Sequence, residues 1–279
     1  MASEAPDFQL FSSLRFDPIL SQCPANTVLG GAPSPLYMLS YHRDRMLYAA
    51  QHFQWPEAVS RISGADGLRY LQGELETALD LDSTVPMRVR ALLSHTGEVT
   101  VESNETPSVP LSNLFPARIP PPQPAEVKVS PLTGGALVLG ADILDGDPEK
   151  RSAWRVKPDP DKTKPSSFTR YKTTCRDMYA GARARADIKL MTEPQEVLII
   201  SHDDDGIMEG SLTSVFFWRK GRWVTPPIAS GGQAGTTRRW LLERGLCEEE
   251  VVGRTSLVDG EECWISNGVR GLIWGRIEL

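Results

Sequence analysis

The chain has 279 residues, 40% of them hydrophobic, enough to fill one large core or two modest ones. A formal net charge of -6 and a pI near 5.4 remove any general electrostatic reason to bind nucleic acid or an anionic membrane. No apolar run is long enough to span a bilayer, and the N-terminus MASEAPDFQL lacks the basic and apolar regions of a secretion signal, so a cytoplasmic protein is expected.

The first predicted element is a strand over Phe8–Phe16, FQLFSSLRF, apolar and aromatic with small polar residues between. Between Leu36 and Phe53, Leu39, Met46, Ala50 and Phe53 recur on one helical face. Leu68, Leu71, Leu75 and Leu79 repeat that pattern, and both helices are expected to pack on a sheet. MRVRALLS and EVTVES, separated by His95, Thr96 and Gly97, predict a hairpin with Gly97 in its turn. Prolines then crowd the stretch 104–124 and leave little room for a helix or an interior strand. That composition marks a boundary between a smaller α/β domain over 1–120 and a larger domain over 131–279, with a linker over 121–130.

A second proline-rich stretch, KPDPDKTKP from Lys157 to Pro165, predicts an exposed loop. EVLIIS and SVFFW are expected strands flanking the turn HDDDG, and KGRWVTPP adds another turn and strand. Thr236 or Thr237 caps a short helix through Leu242 and Arg244, which Gly245 ends. CWISN and RGLIWGRI supply the last strands. There is no internal repeat and no regular βαβ alternation, so the expected architecture is α+β in two domains.

Cys23, Cys175, Cys247 and Cys263 are widely spaced, with no CxxC and no histidine at metal-ligand spacing, and they read as isolated reduced thiols. No metal site is expected. The acidic cluster Asp203–Asp205 reads as a solvated turn, because Ile207 stands where a calcium loop needs an oxygen ligand.

Three stations carry candidate chemistry. Lys172 opens KTTCRDMYAGARARA between an extended stretch and a helix, where an amine is either solvated at the surface or aimed into a cleft as a neutral nucleophile. Glu209, in MEGSLTSVFF, is either a surface partner or a buried carboxylate that needs a cation. GGQAGTTRR sets Thr236 and Thr237 at a helix start, where hydroxyls and free N–H groups either cap the helix or face a phosphate. His42 and Arg45 share a helical face at i, i+3, and an arginine can fork onto phosphate oxygens.

In this combination and order the residues resemble the fold-type IV pyridoxal-phosphate enzymes, the group of branched-chain aminotransferases, D-amino-acid aminotransferases and aminodeoxychorismate lyases. The likeness runs from FSSLRF through HRDR to SNGVRGLI, and KTTCRDMYAGARARA is most similar to the fungal aminodeoxychorismate lyases. The resemblance implies pyridoxal 5'-phosphate as cofactor, with Lys172 bonded to it and catalytic. It puts Glu209 at the pyridine nitrogen, and Arg45, Thr236, Thr237 and the Gly268 N–H at the phosphate. Arg176, Tyr179, Asn267 and Arg270 are implied near the cofactor or substrate. Two departures stand out: the family's EGSxxN motif ends here in Ser214, and Gly268 replaces a hydroxyl residue.

The activity implied is cleavage of 4-amino-4-deoxychorismate to 4-aminobenzoate and pyruvate, a folate-biosynthesis lyase reaction on a small-molecule amino substrate, in a homodimer with no nucleic-acid or membrane partner. A transaminase for D-amino acids, branched-chain amino acids or amines needs the same cradle. A noncatalytic relative would keep the fold as a binding module, and intact Lys172 and Glu209 argue against it.

Overall fold

The computed structural model describes residues 8–28, 31, 33–122 and 153–279. The expected linker over 121–130 lies outside the described residues from 123 onward.

The first layer is an antiparallel sheet of β1 (Leu10–Phe16), β2 (Met87–Leu93) and β3 (Val99–Glu105), in that order. Residues of alternate parity on these strands point to opposite faces. Leu10, Leu14, Phe16, Val89, Ala91 and Leu93 form the buried side, and the helices α1 (Leu39–His52), α2 (Pro56–Ile62) and α3 (Gly64–Ala78) cover it. Leu39, Met46, Ala50, Leu68, Leu71 and Leu75 supply their apolar stripe. The sequence pattern did not separate α2, which opens on Pro56, a residue suited to the first helical position. Gly97 adopts φ 85° in the β2–β3 turn, a left-handed conformation that favours glycine.

The second layer is an eight-stranded mixed sheet of β4 (Trp154–Thr163), β5 (Gln195–Ser201), β6 (Ile207–Gly210), β7 (Ser214–Arg219), β8 (Arg222–Thr225), β9 (Glu248–Glu249), β10 (Glu262–Asn267) and β11 (Gly271–Ile277). Their order is β6-β5-β4-β11-β10-β7-β8-β9. Short helices α4 (Leu111–Leu114), α5 (Ser167–Arg170), α6 (Asp177–Arg185) and α7 (Thr236–Glu243) pack around it. Val156, Leu198, Val215, Phe217 and Ile265 fill one core cluster. A second cluster joins Phe216, Trp240 and Trp264 to Leu20, Tyr37, Leu114 and Ile119, so chain from both sides of the expected linker shares one core. The result is an α+β fold. No helix among the described residues is long and apolar enough to cross a membrane.

Three local expectations are corrected. Residues 157–163 are not a loop but the second half of β4, an interior strand between β11 and β5. Its prolines are tolerated because pairing with β11 runs only from Trp154 to Val156, and pairing with β5 shifts register between Pro158 and Lys162. Asp159 is fully buried there, and Arg185 of α6 clamps it with bonds of 2.8 and 2.6 Å. HDDDG joins β5 to β6, so Glu209 lies on a strand of its own before SVFFW. Finally, Gly235 and not a threonine is the N-cap of α7, and no side chain caps that helix.

Candidate active site

A cavity of about 400 Å³ opens where the two sheets meet. Strand alternation that sends Leu10 and Leu14 into the first core leaves Phe11 and Ser13 facing this space, and the same parity turns Arg88 and Arg90 of β2 toward it. The residues expected from the sequence converge there: Lys172, Glu209, Arg45, Thr236, Thr237, Gly268, Asn267, Arg270 and Arg176 all line it. Tyr179 does not.

Lys172 is held by a short antiparallel bridge between its segment and β1. Phe11 donates its N–H to the Lys172 carbonyl at 3.0 Å, and the Thr174 N–H bonds the Gln9 carbonyl at 2.9 Å. The amine sits 5.0 Å from the centre of the Phe11 ring and has no hydrogen-bond partner among the described residues. Burial and then the nearby Arg176 and Arg45 hold its pKa well below the ordinary lysine value, with Glu209 acting in the opposite sense. Glu209 is only 6% exposed, and burial pushes its pKa up to about 7 against the opposing pull of Tyr179, the Gln233 N–H, Lys172 and Arg176. Desolvation thus acts against the charged form of both groups and raises the fraction of lysine that is uncharged and nucleophilic.

The carboxylate is gripped from behind. Tyr179 donates to Glu209 Oε1 at 2.5 Å, and Gln233 Nε2 donates to the Tyr179 oxygen at 3.1 Å. Tyr179, implied near the cofactor or substrate, stands behind the cavity wall and holds Glu209. Asn267 is also committed: its Oδ1 accepts the N–H groups of Val269 and Arg270 at 3.0 and 2.9 Å and closes the β10–β11 turn. Arg270 lies over Trp154, 5.1 Å from its ring centre, and donates to the Met191 carbonyl at 3.2 Å.

At the other end α7 begins. The first N–H groups of a helix lack intrahelical partners, so those of Thr236 and Thr237 are free to face a ligand. Gly268 lies against the His42 ring; a Cβ there would overlap the imidazole and the Ser13 carbonyl. Arg45 Nε and Arg176 Nη1 are buried without hydrogen-bond partners. Both guanidiniums line the cavity onto which the start of α7 opens, and unpaired donors of this kind suit an anion. Ser214, where the family motif carries asparagine, lines the same wall and packs its hydroxyl toward Gly235.

Sequence reasoning missed Arg88, Arg90 and Glu196. The arginines were legible as the alternate positions of MRVRALL, polar against an apolar set. Glu196 is 1% exposed and accepts from the Ser211 N–H and hydroxyl, the Leu212 N–H and the Thr213 hydroxyl. It shapes the turn after Glu209. Its one signal was a charge at the head of the otherwise apolar EVLIIS.

The aminodeoxychorismate lyase of Saccharomyces cerevisiae is 30% identical to this chain over 205 residues, covering 68% of the chain and 51% of the relative. The chain therefore spans about half the length of that protein. A Schizosaccharomyces pombe protein provisionally named aminodeoxychorismate lyase is 28% identical over 245 residues, 86% of this chain and 84% of its own length. Among solved structures, the branched-chain amino acid aminotransferase of Thermobaculum terrenum in its PLP (holo) form superposes with a TM-score of 0.57 at 18% identity, over 96% of this chain and 76% of that one. The model of the amino-transferase class IV family matches residues 32–274, a span that takes in Arg45, Lys172, Glu209 and the start of α7, and the chain belongs to that family.

Proposed function

We propose that the chain binds pyridoxal 5'-phosphate and cleaves 4-amino-4-deoxychorismate to 4-aminobenzoate and pyruvate. Fit to the cofactor is supported by the unpaired Arg45 Nε and Arg176 Nη1, the open start of α7 and the buried Glu209 near a lysine whose pKa burial lowers. Arg45, the Thr236 hydroxyl and the N–H groups of Thr236, Thr237 and Gly268 would hold the phosphate, and Glu209 the ring nitrogen. When bound, the cofactor supplies an electron sink conjugated to the amine-bearing carbon of the substrate.

The residues then divide the work. Lys172 Nζ would hold the cofactor at its aldehyde carbon and, once free, would take the proton from the amine-bearing carbon of the substrate. Glu209 would hold the proton of the ring nitrogen. Tyr179 and Gln233 keep Glu209 aimed.

The observation that carries the choice of substrate is the charge of the cavity wall. Arg45, Arg88, Arg176 and Arg270 line it, with Arg90 paired to Glu102, against only Glu105 and Glu209. Arg45 would serve a cofactor phosphate, whereas Arg88, beside Arg90 and Arg270, has no hydrogen bond or ion pair among the described residues. 4-Amino-4-deoxychorismate brings two carboxylates to such a wall, whereas a branched-chain amino acid brings one and an apolar chain. The similarity to the two yeast proteins supports the same substrate. A homodimer belongs to this proposal on the family resemblance, and a cytoplasmic location is carried as part of it.

The test is product stoichiometry with aminodeoxychorismate and no keto acid. Many equivalents of 4-aminobenzoate and pyruvate per site, in equal amounts, are expected. Turnover that stops near one equivalent and resumes on addition of a keto acid would replace the lyase with a transaminase.

A further inference from the structure

Arg45, Ser12, His42 and Thr236 stand in single file across β1, α1 and the start of α7. Arg45 Nη2 lies 2.5 Å from Ser12 Oγ, Ser12 Oγ lies 2.7 Å from His42 Nδ1, and His42 Nε2 lies 3.4 Å from Thr236 Oγ1. A guanidinium only donates. Ser12 Oγ therefore accepts from Arg45. Arg45 Nη2 also lies 3.5 Å from His42 Nδ1 and can only donate there, so that nitrogen is the unprotonated one and takes the Ser12 proton as well. The ring proton of a neutral imidazole then sits on Nε2 and points at Thr236 Oγ1. The Thr236 hydroxyl accepts from behind, and its own proton is left for a partner in the cavity.

We propose that His42 is a positioning residue for the anion site: held as the Nε2-protonated tautomer, it fixes the Thr236 hydroxyl as a donor toward the cofactor phosphate. The polarity of the whole file follows from the arginine at its head. Thr237 makes the contrast, because its hydroxyl already donates to the Asn267 carbonyl at 3.1 Å and has no second proton to give. His42 is completely buried, and burial with the nearby Arg45 and Lys172 cations keeps its pKa well below the usual value. A doubly protonated ring, which would donate at both nitrogens and break the file, is thereby disfavoured. Gly268 packs against the ring at Cε1 and Nε2 and wedges it in place. This inference rests on the reading that Thr236 meets a cofactor phosphate.

Two measurements test it. Nitrogen-15 NMR of the histidine-labelled apoprotein, which has four histidines to assign, is expected to place the His42 proton on Nε2 and to show no titration of that ring between pH 6 and 8. A proton on Nδ1, or an imidazolium, overturns the proposal. The second compares affinities for pyridoxal 5'-phosphate and for pyridoxal, which lacks the phosphate. His42→Gln, whose amide nitrogen can stand near Nε2, is expected to keep the parent's preference for the phosphorylated form within about threefold. His42→Asn, too short to reach Thr236, is expected to lose roughly tenfold for pyridoxal 5'-phosphate and little for pyridoxal. Equal losses for both ligands, or none for either, overturn the proposal. Should His42→Asn fail to fold, the tautomer measurement decides alone. If the parent protein binds neither ligand, the cofactor reading fails, and the tautomer still reports on the file.

Discussion

The Tyr179 hydroxyl lies 2.5 Å from Glu209 Oε1 yet lines no part of the cavity. Its oxygen accepts from Gln233 Nε2, so its one proton is shared between Glu209 and the Thr169 carbonyl 3.1 Å away, and the carboxylate is both nearer and the stronger acceptor. A buried carboxylate that must stay ionised opposite a ring nitrogen needs this donor. Burial alone drives it toward the protonated form.

Tyr179→Phe removes that donor and raises the Glu209 pKa further. On the proposed reaction, turnover at pH 7 is expected to fall roughly ten- to a hundredfold, the worth of one hydrogen bond to a charged group. The acid limb of the kcat/KM profile should move to higher pH, and part of the loss should be recovered as pH rises. A uniform loss across the profile would mean that the phenol only packs.

The two threonines of α7 should behave differently despite their adjacency. Thr236→Ala removes a hydroxyl whose proton is free for the cavity, and is expected to weaken cofactor affinity roughly tenfold or more. Thr237→Ala removes one committed to the Asn267 carbonyl, and should cost cofactor affinity less than threefold while lowering the melting temperature. Equilibrium titration with pyridoxal 5'-phosphate checks both; equal losses would return Thr237 to the phosphate.

Apart from β4, β6 and β9, the strands and the two long helices were legible because each shows one period against one core. Leu68, Leu71 and Leu75 need no partner to be read as a helix face. The segment 157–163 was not legible, since its prolines read as a loop until β11 stops pairing at Val156 and Arg185 arrives to neutralise Asp159. Both facts are long-range. The same holds for the site: Lys172, Glu209 and Thr236 carry local motifs, whereas the place of Tyr179 behind Glu209 depends on Gln233, 54 residues away. Arg88 had a periodicity signal but no motif.

Arg88 and Arg270 give a test of substrate charge that is independent of the cofactor. Arg88→Ala or Arg270→Ala is expected to raise KM for aminodeoxychorismate by roughly ten- to a hundredfold while leaving cofactor affinity within about threefold. Arg88→Lys should restore only part of this, because a lysine cannot fork onto a carboxylate. If cofactor affinity falls while KM is unchanged, these arginines belong to the phosphate and the dicarboxylate argument fails.

The pKa of Glu209 also makes a prediction about stability. Raised from 4.5 to about 7 in the folded protein, it lets the native state of the cofactor-free protein bind more protons than the unfolded chain between those values. That contribution is fully present below the unfolded value and is lost as pH rises through about 7. Lys172 has the opposite sign, its depressed pKa favouring the folded state as pH rises toward the ordinary lysine range, so the pair must be separated by mutation. Glu209→Gln cannot ionise, and relative to the parent it is expected to gain stability between pH 5 and pH 8 by up to about 3 kcal/mol, read from urea midpoints of the two apoproteins. Adding pyridoxal 5'-phosphate should remove the difference in slope, because a protonated ring nitrogen holds the carboxylate ionised across the range. Parallel pH dependences of parent and variant in the absence of cofactor would mean that Glu209 is already ionised in the empty cavity, with Lys172 retaining its charge as the partner.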